Sequence, residues 1–215
     1  MTIADSKPYI PAAGHHSLLP VYDILTKVMG VDRVRALLLE QADIRPSYCV
    51  LDVGCGTGSL AVSTKRREPS AQVFGVDPDA EALLRARRKA ERASVDVQFD
   101  EGFADALPYP DATFDRVLSS MMFHHLHRDQ KAGMLRELRR VLRPGGRVEM
   151  LDFAKPDTGG GAVTRILHSH QLLNDNSEAR VLGSFAEAGF ASVRPVARGR
   201  ILIWNVAFFQ AVREQ

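Results

Sequence analysis

The run Val50-Leu51-Asp52-Val53-Gly54-Cys55-Gly56-Thr57-Gly58-Ser59-Leu60-Ala61 constrains this chain more than any other stretch. An apolar strand leads into three alternating glycines, and a helical pattern follows. Glycine serves where backbone turns tightly, takes a positive φ or approaches a ligand closely. In an open α/β sheet, a loop of this kind joins the C-terminal end of a strand to a helix N-terminus and binds nucleotides. The ligand expected here is nucleotide-like.

The 215 residues suffice for one α/β domain with a full core and a small addition. A formal net charge of +2 lacks the basic excess of a nucleic-acid binder. The two cysteines, Cys49 and Cys55, lie close together on one strand and its loop and read as reduced thiols. The N-terminus carries no basic stretch followed by an apolar run, so no signal peptide is expected. The apolar stretch from Ile201 to Val212 includes Asn205 and Gln210 and is too short to span a bilayer. These features point to a cytoplasmic protein without stable membrane insertion.

Residues 1–17 are polar and aperiodic and read as a mobile arm. Leu18, Val21, Tyr22, Leu25 and Val28 then recur at helical spacing as far as Gly30. A second helix, capped by Asp32, carries Val34, Leu37, Leu38 and Gln41 on one side. Residues 1–45 are thus expected to form an arm and helical lid, or helices packed on the sheet edge. Residues 46–215 form the main domain. Its strands are expected at Cys49–Val53, Gln72–Val76 (ending at Asp77), Val95–Phe99, Phe114–Ser120 and Arg147–Phe153. Pro78 and Asp79 open one helix, and Asp129 caps another that runs to Leu142. Arg143-Pro144-Gly145-Gly146 reads as a turn and residues 156–161 as a flexible loop. Helices follow near Val163–Leu173 and Ser177–Ala188. Ser192–Ala197 and Ile201–Ala211, joined by Arg198-Gly199-Arg200, are too close for a parallel crossover and predict an antiparallel hairpin. The expected fold is a doubly wound, mostly parallel seven-stranded sheet with that hairpin at its end and helices before its first strand.

The ligand should lie outside the carboxyl ends of strands one and four, where the strand order reverses. Asp77 stands at the end of strand two, nineteen positions after Gly58, where an acid accepts ribose hydroxyls. By itself it does not separate NAD from other adenosine ligands. A dinucleotide loop is spaced G-x-G-x-x-G. Here the spacing is G-x-G-x-G, and the Asp52 anion just before it suits a ligand with a cationic amino group.

That combination resembles the class I S-adenosylmethionine-dependent methyltransferases over about residues 48–156. Leu51 to Gly58, Asp77, the Asp105-Ala106 loop and Leu142-Arg143-Pro144-Gly145-Gly146 carry the resemblance. Phe114-Asp115, Phe123-His124-His125-Leu126, Leu151-Asp152-Phe153-Ala154-Lys155-Pro156 and Tyr22-Asp23 are similar in layout to the quinone and menaquinone C-methyltransferases. The resemblance implies S-adenosylmethionine as cofactor, S-adenosylhomocysteine as product and a small, partly apolar methyl acceptor, with a monomer or homodimer as the working form. It implies a Gly54, Cys55, Gly56, Thr57 and Gly58 loop at the methionine portion, with Asp52 facing its ammonium. Asp77 and Pro78 would hold the ribose, and Asp105 and Ala106 the adenine. Ser119, Ser120 and Met121 would border the methionine, with Met122 and Phe123 beginning the acceptor wall.

Methyl transfer from a sulfonium needs alignment and exclusion of water, and a base only if the acceptor loses a proton. Candidate bases are His125, His124, His16 and Tyr22. No metal is expected, because the histidines lack a recognisable ligand spacing. A non-catalytic S-adenosylmethionine-binding subunit and a nicotinamide oxidoreductase are the competing readings; the glycine spacing argues against the latter.

Overall fold

The computed structural model describes residues 29–153, 176–202 and 204–215. The expected arm, the helices at 18–28 and 163–173, the loop at 156–161, His16 and Tyr22 lie outside them.

Elements are numbered along the described chain. They are α1 (Val31–Ala42), β1 (Cys49–Val53), α2 (Ser59–Arg67), β2 (Gln72–Asp77), α3 (Ala80–Arg92), β3 (Gln98–Glu101), β4 (Phe114–Ser120), a 3-10 turn (Phe123–His125), α4 (Arg128–Val141), β5 (Leu142–Phe153), α5 (Glu178–Glu187), β6 (Ala191–Ile201) and β7 (Trp204–Val212). The sheet runs β3-β2-β1-β4-β5-β7-β6. Every pair from β3 to β5 is parallel, and β7 lies antiparallel to both β5 and β6. This is the doubly wound sheet that the sequence predicts, with strand order reversing between β1 and β4.

The central strands have no solvent face. All five residues of β1 are buried, because helices cover both sides. Leu51, Val117, Val148 and Phe209 pack under Leu135 and Leu138 of α4 and Phe185 of α5. On the other face Val50, Leu118, Leu151 and Phe208 meet Val34 and Leu38 of α1, Leu60 of α2 and Leu83 of α3.

Several boundaries differ from expectation, each for a local reason. Gly30, in the left-handed conformation, starts α1, so Asp32 lies in its first turn rather than at its cap. The buried face of α1 is Val31, Val34, Leu38, Leu39 and Ala42, and Leu37 is exposed. The strand expected at Val95 begins at Gln98, where pairing with Phe74 becomes available. α4 begins at Arg128, with Gln130 Oε1 accepting the His127 amide, so Asp129 is not the cap. β5 starts at Leu142 instead of Arg147, since Phe114 pairs with Leu142 and Gly145 and Gly146 bond the Arg213 backbone. The hairpin turns at Leu202, with φ near 52°, and not at Arg198-Gly199-Arg200. Those three residues pair with Ala207, Val206 and Asn205.

α1 is tied down at its C-terminal end by two cations from the sheet. Arg116 Nε and Arg147 Nη2 donate to the Ala42 carbonyl at 2.8 and 3.1 Å, at the negative end of the helix. Arg116 also lies 4.9 Å from the centre of the Tyr48 ring. Glu149, fully buried beside them, accepts from Gln210 at 2.9 Å and lies 3.3 Å from Arg147 Nε. Burial pushes its carboxyl up to about 7. Arg116→Met is therefore expected to lower stability by roughly 1.5–3 kcal/mol, the worth of a charged hydrogen bond. It should also speed hydrogen exchange in α1 before the sheet opens. Urea unfolding and exchange mass spectrometry check both, and unchanged exchange in α1 would show that the clamp is idle.

Candidate functional site

A cavity opens at the carboxyl ends of β1, β2 and β4, at the reversal of strand order. Its floor is the glycine loop. Gly54, Gly56 and Gly58 all have positive φ, which turns the backbone from β1 into α2 within five residues. The Gly54 and Cys55 amides both donate to the Val76 carbonyl, pinning the loop to the end of β2.

Asp77 holds the loop from the next strand. Its Oδ2 accepts from the Gly56 amide at 2.8 Å and its Oδ1 from the Asp79 amide at 2.9 Å. Asp79 in turn caps α3 by accepting from the Glu81 and Ala82 amides. Burial pushes the Asp77 carboxyl up to about 6, against the pull of those two amides. Thr57, also at the cavity, receives a hydrogen bond from Lys89 of α3, which bonds Ser59 as well.

Of the residues named from sequence, Gly54, Cys55, Gly56, Thr57, Asp77, Pro78, Asp105, Ser120, Met121 and His125 line this cavity. Five do not. Asp52 is 1 % exposed and sits behind the loop, where its Oδ2 accepts from the Ala61 amide in the first turn of α2. Gly58 and Ser119 are buried away from the opening. Ala106 is exposed, and its amide already donates to the Phe103 carbonyl, so it is not available for an adenine nitrogen. His124 lies behind His125, with the two ring centres 4.0 Å apart. Met122 lines the cavity as expected, whereas Phe123 is buried beneath it.

The structure adds residues that sequence reasoning missed. Arg35 of α1 reaches the cavity, with Nε 3.3 Å from Ser120 Oγ. Its charge is the leading pull lowering the Asp52 carboxyl, yet burial prevails and holds that group at about 7. Arg35 stands between Val34 and the exposed positions of α1, and this border position is its only trace in the sequence. Gly102, Phe103, Ala104, Leu126, His127 and Gln130 complete the wall. Gly133 of α4 lets the Asp105 loop approach, since a Cβ there would stand 2.7 Å from the Asp105 Cβ. Met121 takes φ near 60°, a strained conformation for a side-chain-bearing residue and one common at functional sites. Among the described residues no three metal-ligating side chains cluster, and no helix is long and apolar enough to cross a membrane.

The cavity is thus lined by two acids, Asp77 and Asp105, and the guanidinium of Arg35, together with the sulfur and carbon of Met121, Met122 and Leu126 and the ring of His125. A family model described as a methyltransferase domain matches residues 50–146. The chain is 42% identical over 161 residues to a demethylmenaquinone methyltransferase of Deinococcus radiodurans, an alignment covering 73% of this chain and 66% of that protein. It is 43% identical over 163 residues to a demethylmenaquinone methyltransferase of Thermus thermophilus, covering 72% and 71%. The fold superposes with TM-score 0.80 on a Haemonchus contortus phosphoethanolamine N-methyltransferase solved with S-adenosyl-L-methionine. The identity there is 16%, over 95% of this chain and 58% of that one. The site and fold are those of a class I S-adenosylmethionine-dependent methyltransferase. Within that class the chain belongs to the demethylmenaquinone methyltransferase family.

The two buried carboxyls at the loop set a pH dependence. Burial holds the folded Asp52 carboxyl at about 7, so it binds its proton more tightly than an ordinary aspartate, near 3.8. Its contribution to stability is full below the unfolded value and is lost as pH rises through about 7. Asp77 acts in the same sense up to about 6. His125, lowered from 6.5 to about 4, acts in the opposite sense as pH falls below its unfolded value. Asp52→Asn should consequently gain in melting temperature relative to the parent between pH 5 and 8. A constant difference across that range, read by circular dichroism, would show that Asp52 keeps an ordinary carboxylate pKa in the fold.

Proposed function

We propose that this protein transfers a methyl group from S-adenosylmethionine to a ring carbon of a quinol-type acceptor. The observation that carries the reading is one cavity at the switch point of the sheet that is lined both by charged groups, Asp77, Asp105 and Arg35, and by Met121, Met122 and Leu126. Bound S-adenosylmethionine supplies a methyl group already activated on a sulfonium.

The residues present fit that cofactor. Each Asp77 carboxylate oxygen spends one acceptor position on an amide and keeps another for a ribose hydroxyl. Asp105 is offered for the adenine exocyclic amine. The loop at Gly54, Cys55, Gly56 and Thr57 faces the methionine portion, and Arg35 beside Ser120 supplies the cation for its carboxylate. Asp52 acts on the ammonium only as a charge buried behind the loop, in keeping with its bond to α2.

Met121, Met122 and Leu126 offer an adaptable apolar wall to a flat ring. Methylation of an aromatic carbon forms a C–C bond with an electron pair of the ring and releases one proton from the acceptor. His125 lines that wall, and burial lowers it to about 4, so it is neutral at physiological pH and is the imidazole placed to receive the proton. Similarity to the demethylmenaquinone methyltransferases of Deinococcus radiodurans and Thermus thermophilus supports a menaquinone precursor as that acceptor. Tyr22 and His16 are further candidates for contact with the acceptor. We place the enzyme in the cytoplasm, as a monomer or homodimer.

Radiolabelled methyl transfer to a demethylated naphthoquinol, alongside phenol, amine and thiol acceptors, tests the reading. Methylation of a phenol, amine or thiol in preference to the naphthoquinol would overturn the assignment of acceptor. Asp77→Ala should weaken S-adenosylhomocysteine binding by about 1–3 kcal/mol in calorimetry, from the loss of charge-assisted hydrogen bonds. His125→Gln should lower kcat with that affinity unchanged, and equal turnover would remove His125 from the chemistry.

A further inference from the structure

Behind His125 lies a buried polar chain with no contact to the cavity. His124 Nδ1 stands 2.7 Å from Asp152 Oδ1, with Asp152 fully buried and His124 nearly so. Asp152 ends β5, and His124 lies in the 3-10 turn after β4, so neighbouring parallel strands deliver the two. Among the described residues, the other hydrogen-bond neighbours of the carboxylate donate to it. They are the Phe153 amide at 2.6 Å, the His124 amide at 3.2 Å and Asn176 Nδ2 at 3.4 Å. A carboxyl surrounded by donors acts as an acceptor, so the shared proton sits on His124 Nδ1. Asn176 is oriented by its own bonds: its Oδ1 accepts from Lys131 at 2.9 Å and its Nδ2 donates to the Phe153 carbonyl at 3.0 Å. Lys131 lies over the Phe123 ring at 5.1 Å. The His124 ring is further held by the edge of Phe153, at 4.9 Å between centres.

We propose that the His124–Asp152 couple is a positioning unit for His125, fixing the orientation of its ring and keeping it a neutral proton acceptor on the cavity wall. The inference rests on the reading that His125 receives the proton released by the acceptor. The His125 ring packs on His124 at 4.0 Å with a tilt of 41°, so its rotation is tied to a ring that is itself bonded. A proton added to His125, which is half-buried, would lie against the stacked ring of His124. Burial is the larger cause of the lowered His125 value and His124 the second, while Asp152 pulls the other way. Among the described residues, the other charged or titratable groups around this wall are His127 of the same segment, Lys131 of α4, Arg35 of α1 and Asp105 of the β3–β4 loop.

Histidine titrations by long-range 1H–15N and 1H–13C NMR on the full chain test this without any substrate, with His125→Gln used for assignment. His124 should show a proton on Nδ1, and Asp152→Asn should abolish that preference. His124→Gln and His124→Phe, the second of which keeps an aromatic ring against His125, should each raise the His125 pKa by about one unit or more. A His124 protonated on Nε2 alone, or a His125 titration unmoved in both variants, would overturn the proposal. In the methyl-transfer assay the acid limb of kcat/KM should move up with His125 in the same variants. An unmoved acid limb with a shifted His125 titration would leave the couple standing and refute His125 as the proton acceptor.

Discussion

The carboxylate of Asp77 ties together the parts on which the site depends. One oxygen holds the Gly56 amide and the other the Asp79 amide, so one side chain fixes the glycine loop after β1 and the start of α3 after β2. Both segments have backbone donors that no helix or strand satisfies, and a buried unpaired amide is costly. The acid answers both at once. It is itself buried, and the two amides recover only part of the desolvation, so its pKa stays high. A group in that state gains from any ligand that brings further donors to it. The structural anchor of the loop and the proposed ribose acceptor are therefore the same atoms.

The same arrangement recurs around the cavity. Asp52 sits behind the loop, bonded to the first turn of α2, and Glu149 lies under α1 against two guanidinium groups. Each is a carboxyl whose burial outweighs its partners. Through Arg35 and the Arg116–Arg147 clamp on Ala42, these charges link the seating of α1 to the cavity. The wall at His125 is ordered differently, by packed rings, with the His124–Asp152 couple buried behind it. The network around the glycine loop and the one behind His125 meet at the end of β4.

Most of the frame was legible because its signals are local. Apolar runs at Cys49–Val53 and Phe114–Ser120, glycines at fixed spacing and acids at strand ends mark β1, β4 and the reversal of strand order between them. The boundaries that moved were decided by partners distant in sequence. Arg198-Gly199-Arg200 reads as a turn, yet β7 supplies pairing partners for all three, and the reversal falls on Leu202. The Arg143 to Gly146 stretch reads as a turn, but pairing of Leu142 with Phe114 and the bonds of Gly145 and Gly146 to Arg213 hold it in the sheet. Ala106 has the right position in the chain for a donor, but its amide closes its own loop onto Phe103.

The sequence by itself determined the sheet, the glycine loop, the acid at the end of β2 and hence the class of cofactor, because each follows from short-range backbone geometry and residue chemistry. Tertiary structure decided which of those residues reach the cavity. It turned Asp52 and Ser119 inward, brought Arg35 in from the helix that precedes β1, and set His124 behind His125 rather than beside it. It also joined His124 to Asp152 and Asn176, which are 28 and 52 positions away along the chain. Direction and burial of a side chain are set by what packs against it, and those neighbours come from elements that no local pattern brings together.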